Sequence, residues 1–279
     1  MKIPRCLTIN NKVFHSSKYS DVINKSLIYG LNQMSNLSDW VLELEGMSGN
    51  SFRHFVNQLA NKMTDCRILE IGPWKGSVSV SFGFLNEHIE MTVIDAWVRS
   101  DKRFATKKSK LKNKQKQAKR RRKTRKGERA RFVVPRKKKN TDIQYWLNGN
   151  PQIDFENNIA KMKDQGGCQN VIVHKKDFRK LKLKESKFNL FFYDGPPLEK
   201  DCYDGLSLFI SNVDDEFIFI IDDWNCKTVQ SGINEAIEKN NLIIKHQIEI
   251  IDECKVFRTG GYFHNGISIF VLQKSQHPA

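Results

Sequence analysis

Glu70, Gly72 and Gly76 close an apolar run in the string ILEIGPWKG, residues 68–76. Two glycines directly after a strand let the backbone pass under a bound ligand where a Cβ would collide. The helix that follows would turn its free N–H groups toward the same ligand. The spacing is wrong for a dinucleotide fingerprint: G-x-G-x-x-G counted from Gly72 needs glycine at 74 and, tolerantly, a small residue at 77, where the chain has Trp74 and Ser77. Further apolar runs also end on acids. MTVIDAW (91–97) closes on Asp95, VIVHKKDF (171–178) reaches Asp177, FNLFFYDGPP (188–197) reaches Asp194, and EFIFIIDDWN (216–225) ends on Asp222 and Asp223. Ligands of open α/β sheets bind beyond the carboxyl ends of the strands, so acids at those ends face one crevice. Carboxylates there can accept from a diol, as Asp95 could from a ribose. They can also hold a hard cation or take a proton as a general base.

The strings GMSGNSFRHFVNQLA (46–60), ILEIGPWKGSVSVSF (68–82), IDAW (94–97), YDGPP (193–197), IFIIDDWN (218–225) and FHNGISIFVL (263–272) follow one another in a familiar order. Together they resemble the class I S-adenosylmethionine (SAM) methyltransferases, in the methyltransferase-24-like branch, over about residues 46–98 and 150–274. The resemblance implies an α/β, Rossmann-like fold: a mostly parallel seven-stranded sheet, helices on both faces and a C-terminal antiparallel hairpin. It implies that Glu70, Gly72 and Gly76 cradle the methionine end of SAM and that Asp95 binds the ribose hydroxyls. Asp177 and Phe178 would border the adenine. Trp97 would pack on the nucleoside or serve as a core or rim aromatic.

In that fold the strands ending at Asp194 and at Asp222–Asp223 neighbour the first strand, so these acids would converge near the sulfonium methyl. Asp194, Asp222 and Asp223 would then suit Mg²⁺, which lowers the pKa of a substrate hydroxyl. Without a metal, Asp194 serves as base directly. The other reading of Asp222 or Asp223 is a cap on the following helix or a bond to loop amides. His264 would reach the substrate if its loop folds back over the sheet edge. Relatives carry a histidine shortly after the Asp-Gly, where this chain has Pro196 and Pro197. The [DN]-P-P-[YF] motif of amino-methyltransferases fails at Gly195 and Leu198, which discounts N-methylation of adenine. The implied activity is methyl transfer to a hydroxyl of a small molecule or saccharide. Alternatives are an RNA or ribonucleoprotein methyltransferase, and a binding protein that keeps the fold without catalysis.

Apolar periodicity places the elements that would carry these residues. Helices are expected from Ser20 to Met34, from Ser51 (as N-cap) through Met63, and over about 76–86, 153–162, 199–211 and 229–239. Strands are expected at 67–71, 91–95, 170–174, 188–193 and 217–222, with 242–250 and 266–272 as the terminal hairpin. Leu42 to Glu45 reads as a short linker or strand, Lys75 as a solvated first-turn residue, and His174 as structural. Residues 1–45 form an N-terminal extension to the domain.

The net charge of +16 is local. Residues 99–140 hold 22 Lys/Arg against Asp101 and Glu128, a net of +20, while the remaining 25 Lys/Arg and 29 Asp/Glu leave −4. This basic insertion has no apolar face from Lys107 to Ala130 and is expected to be disordered on its own. Segment 107–139 could make non-specific phosphate contacts with a nucleic acid. Aromatics that would stack on bases are absent from 105–131. The six cysteines show no C-x-x-C and read as reduced. The first residues lack an apolar signal-peptide core and no run approaches a membrane span, so a cytoplasmic protein is expected, or a nuclear one in a eukaryotic host.

Overall fold

The computed structural model describes residues 4–97, 150–184, 187–254 and 261–275. Strand β1 (Leu7–Val13) leads into helices α1 (Ser20–Leu31), α2 (Asp39–Leu42) and α3 (Asn50–Lys62). Then come β2 (Arg67–Ile71), α4 (Ser77–Gly83) and β3 (Glu90–Ile94). After the basic segment follow α5 (Pro151–Asp164), β4 (Asn170–His174), β5 (Phe188–Tyr193), α6 (Glu199–Ser207), β6 (Val213–Ile221), α7 (Lys227–Lys239), β7 (Leu242–Asp252) and β8 (Ile267–Lys274). The chain divides into two compact units, 1–96 with 151–279, and 97–150. The first carries the whole sheet.

That sheet runs β1-β7-β8-β6-β5-β2-β3-β4. Strands β4, β3, β2, β5 and β6 are mutually parallel. β8 is antiparallel between β6 and β7. This is a Rossmann-like, mostly parallel α/β arrangement, with the expected C-terminal antiparallel hairpin. The central strands are mostly apolar because they are buried on both faces. Phe191 and Phe192 on β5 and Phe217 and Phe219 on β6 are all fully buried. All five parallel strands therefore deliver their carboxyl ends to one edge, where the acids sit.

The sheet has eight strands where seven were expected. The eighth is β1, from the segment read as an extension, and it pairs antiparallel with β7 from Leu7↔Asp252 to Val13↔His246. It eluded periodicity because LTINNKV buries little beyond Leu7. Two local expectations also change. An unexpected helical turn at 39–42 takes in Leu42, and the expected linker, with no strand, follows it over 43–45. Gly49, not Ser51, is the N-cap of α3, and Ser51 lies buried inside the helix. Among the described residues no helix is long and apolar enough to cross a membrane.

The β1–β7 register also corrects the cysteine reading. Glu253 N donates to Cys6 O at 2.9 Å, which sets Cys6 beside Cys254, and the two form a disulfide with Cα atoms 5.1 Å apart. Cys66, Cys168 and Cys202 are free and buried, and Cys226 is free and half-buried. The cross-link spans 248 residues. Cys6→Ser is expected to cost about 2–5 kcal/mol of stability, because so long a loop is no longer closed in the unfolded chain. A denaturation midpoint that moves neither in this variant nor in wild type treated with a dithiol would refute the contribution.

Candidate active site

Beyond β2 the chain turns sharply through three left-handed residues, Gly72 (φ +87°), Trp74 (φ +49°) and Gly76 (φ +83°). Gly72 N donates to Ile94 O at 3.0 Å, which stitches the turn to β3. A Cβ on Gly72 would overlap the carbonyl oxygen of Asp194, so this glycine is required by the crossing of β2 and β5 backbones. A Cβ on Gly76 would come within 2.7 Å of the Phe155 ring on α5. Gly76 is also the N-cap of α4. Both glycines thus answer first to the protein's own packing.

Two acids flank the turn. Asp95, after β3, accepts from Trp74 N at 3.2 Å through Oδ2. Its own amide donates to His174 O at 3.2 Å, which gives His174 a backbone role at the end of β4. Glu70 sits on β2 between Val93 of β3 and Phe192 of β5. Its side chain is completely buried, and neither carboxylate oxygen has a hydrogen-bond partner. Burial pushes its pKa up to about 8; the Ser79 hydroxyl opposes that shift and the charge of Asp95 adds to it. A buried carboxylate without a partner is costly, so Glu70 is suited to a cationic donor arriving with a ligand.

Asp194 stands at the end of β5, with its amide on Ile71 O at 2.9 Å. Asp222 stands at the end of β6, with its amide on Tyr193 O at 3.1 Å. Burial holds the Asp194 carboxyl well above the usual range, reinforced by the charges of Asp222, Asp223, Glu70 and Asp95. Asp222 is raised as well, by burial and then by Asp223. The fold thus brings the acids of four strand ends into one electrostatic neighbourhood.

They do not assemble as metal ligands. Asp223 has a left-handed backbone (φ +57°), and its Oδ1 accepts from Asn265 Nδ2 at 2.9 Å. Among the described residues the only trio of ligand atoms within 4.8 Å of one another is Cys6, Asp252 and Cys254. There the sulfurs are bonded to each other, and Asp252 accepts from Cys254 N at 2.8 Å and Phe263 N at 2.7 Å. Asp194, Asp222 and Asp223 form no such trio in this structure. Neither does Asp222 or Asp223 cap α7: its N-cap is Cys226, with no side-chain hydrogen bond.

The loop before β8 does fold toward the acids. Trp224 N donates to Gly266 O at 3.0 Å and Asn225 N to Asn265 O at 2.8 Å, while Phe52 N donates to Tyr262 O at 3.1 Å. His264 is half-buried within this loop, but Asn265 is the residue that binds Asp223.

The remaining candidates lie differently. Asp177 caps the short 3₁₀ turn Phe178–Lys180 and pairs with Arg179, whose guanidinium holds its carboxyl below the usual range. Phe178 is buried edge-on against Tyr193, with ring centres 6.0 Å apart. Trp97 belongs to the second unit, 97–150, and the basic segment 99–140 lies outside the described residues. Lys75, read as solvated, is only 5% exposed and pairs with Glu45 at 2.5 Å and Asp154 at 2.8 Å. Nothing in the local sequence marks it, because both partners are distant in the chain.

No family model matches the chain, and no curated protein matches it in sequence. Solved structures of similar fold do. The O-methyltransferase from Bacillus cereus in complex with SAH is 10% identical, with a TM-score of 0.47 over 91% of each chain. The O-methyltransferase TomG from Streptomyces achromogenes in complex with SAM is 12% identical, with a TM-score of 0.44 over 94% of this chain and 92% of that one. TrmN from Thermus thermophilus is 10% identical, with a TM-score of 0.46 over 84% of this chain. The chain spans about half of TrmN's length, 52%.

Proposed function

We propose that the protein is a SAM-dependent methyltransferase of the methyltransferase-24-like branch, acting on a hydroxyl of a small molecule or saccharide. The observation that carries this reading is Glu70: fully buried, unpartnered at both oxygens, and set under a turn of three left-handed residues. Such a carboxylate fits the α-ammonium group of SAM, and Asp95 beside it fits the ribose hydroxyls. When bound, SAM supplies a methyl carbon activated by the sulfonium. Glu70 at the α-ammonium and Asp95 at the ribose would hold SAM on either side of its sulfonium and so fix the line along which an acceptor must approach. Asp194 takes the proton from the acceptor hydroxyl. Burial and the neighbouring acids raise its pKa, so the carboxylate, once ionised, holds the abstracted proton more firmly than an ordinary aspartate.

Labelled SAM offered with fractionated host extract, with and without EDTA, tests the activity. Transfer is expected to persist in EDTA. Asp194→Asn should keep SAM affinity in calorimetry yet lose about 10²–10⁴ in rate, the scale of a missing general base. Absence of SAM binding would end this reading, binding without transfer would favour a non-catalytic protein, and full transfer by Asp194→Asn would remove the base assignment. A second reading, an RNA or ribonucleoprotein substrate docked through 107–139, rests on the +20 net charge of residues 99–140 beside a body of −4. RNA affinity that falls steeply with salt would favour it.

A further inference from the structure

Lys75, between Gly72 and Gly76, has a side chain that reaches into other elements. Its ammonium meets Glu45, ahead of α3, and Asp154, in the first turn of α5. It also lies 5.2 Å from the centre of the Trp74 ring. Its carbonyl accepts from Asn158 Nδ2 at 2.9 Å, again from α5. Burial opposes the charge on Lys75, and the two carboxylates outweigh it, so the ammonium is held more firmly than in water. The segment that brings Glu45 is itself pinned. Arg53 of α3, fully buried, donates to the carbonyls of Val41, Leu42 and Leu44 at 2.9–3.0 Å and to Ser48 Oγ at 2.9 Å. Ser48 in turn lies 3.3 Å from Ser77 at the start of α4.

From these contacts we infer that Lys75 is a positioning residue for the cofactor, acting through Trp74 and Asp95. A tryptophan at φ +49° is strained and must be held by its surroundings. Lys75, tied to two elements, holds the residue before it in the chain and so keeps the Trp74 N–H directed at Asp95 Oδ2. That hydrogen bond sets the orientation in which the Asp95 carboxylate meets the ribose. The inference rests on the SAM reading above, and the experiment separates the two.

SAM affinity of Lys75→Met, Asp95→Ala and the double variant, each checked for thermal unfolding, forms a double-mutant cycle. Lys75→Met is expected to weaken SAM about tenfold. In the Asp95→Ala background the same change should cost no more than about twofold, because the group through which it acts is gone. A purely structural lysine would instead give losses that multiply, and that outcome, or wild-type affinity in Lys75→Met, overturns the inference. Should Lys75→Met fail to fold, Glu45→Gln and Asp154→Asn each remove one carboxylate and leave the other. Their smaller SAM losses should likewise vanish in the Asp95→Ala background, and losses that persist there overturn the inference. Wild-type protein that binds no SAM would refute the cofactor reading itself.

Discussion

Gly72→Ala is expected to lose SAM binding and about 3–5 kcal/mol of stability, among the largest single-residue effects in the chain. Two costs combine. At φ +87° an alanine is strained by about 1–2 kcal/mol. The added methyl would also overlap the carbonyl oxygen of Asp194, with that carbonyl carbon at 2.7 Å and Gly195 N at 3.3 Å. All three atoms are backbone, so no rotamer change relieves the overlap; the end of β5 must move. Asp194 is the residue displaced, so even a folded variant would carry its base in the wrong place. Gly76→Ala is the informative comparison. Its φ of +83° imposes the same strain, but its methyl meets the Phe155 ring, which has a side chain's freedom to turn. Its loss should be clearly smaller. Equal unfolding temperatures for Gly72→Ala and wild type would refute the close crossing of β2 and β5.

The parallel half of the sheet was legible because burial on both faces forces unbroken apolar runs. The strands expected at 67–71, 170–174 and 188–193 are those observed as β2, β4 and β5. β6 starts earlier, at Val213, where a register shift against β5 lets the polar Asp214, Asp215 and Glu216 extend the strand outward. β1 was illegible for the opposite reason: an edge strand exposed on most of its length carries no apolar period. The disulfide was hidden with it, since only the β1–β7 register brings residues 248 apart together.

At the site, the acids and glycines were legible because they fall where strands end. Their partners were not. Lys75 looked like any first-turn lysine until Glu45 and Asp154 came to it through the tertiary fold. The metal expectation shows the limit of counting acids at strand ends. It required Asp223 to face Asp194 and Asp222, and a left-handed backbone with Asn265 as partner turns its Oδ1 elsewhere. Gly72 was read as making room for a ligand, whereas the atoms it spares belong to Asp194.

The apo protein should become less stable as pH rises from 5 to 9, and SAM should bind with release of a proton. The sign follows from Glu70. Its pKa in the folded chain is about 8, against 4.5 for an ordinary glutamate. Between those values the folded protein holds a proton that the unfolded chain has released, so the stabilisation is fully present below 4.5 and is lost as pH rises through 8. Asp194 and Asp222, raised by burial and by their acidic neighbours, act in the same direction. Each unit of pKa difference is worth about 1.4 kcal/mol, so an unfolding temperature lower by several degrees at pH 9 is expected. A bound ammonium reverses the preference at Glu70, because a paired carboxylate is ionised. SAM affinity should therefore rise with pH up to about 8. At pH 7 the heat of binding should depend on the ionisation enthalpy of the buffer, as proton release requires. Glu70→Gln should flatten part of the stability profile and abolish that buffer dependence together with most of the affinity. A wild-type unfolding temperature equal at pH 5 and pH 9, with a binding heat indifferent to buffer, would show that Glu70 is ionised before any ligand arrives, and the cationic cradle would have to be abandoned.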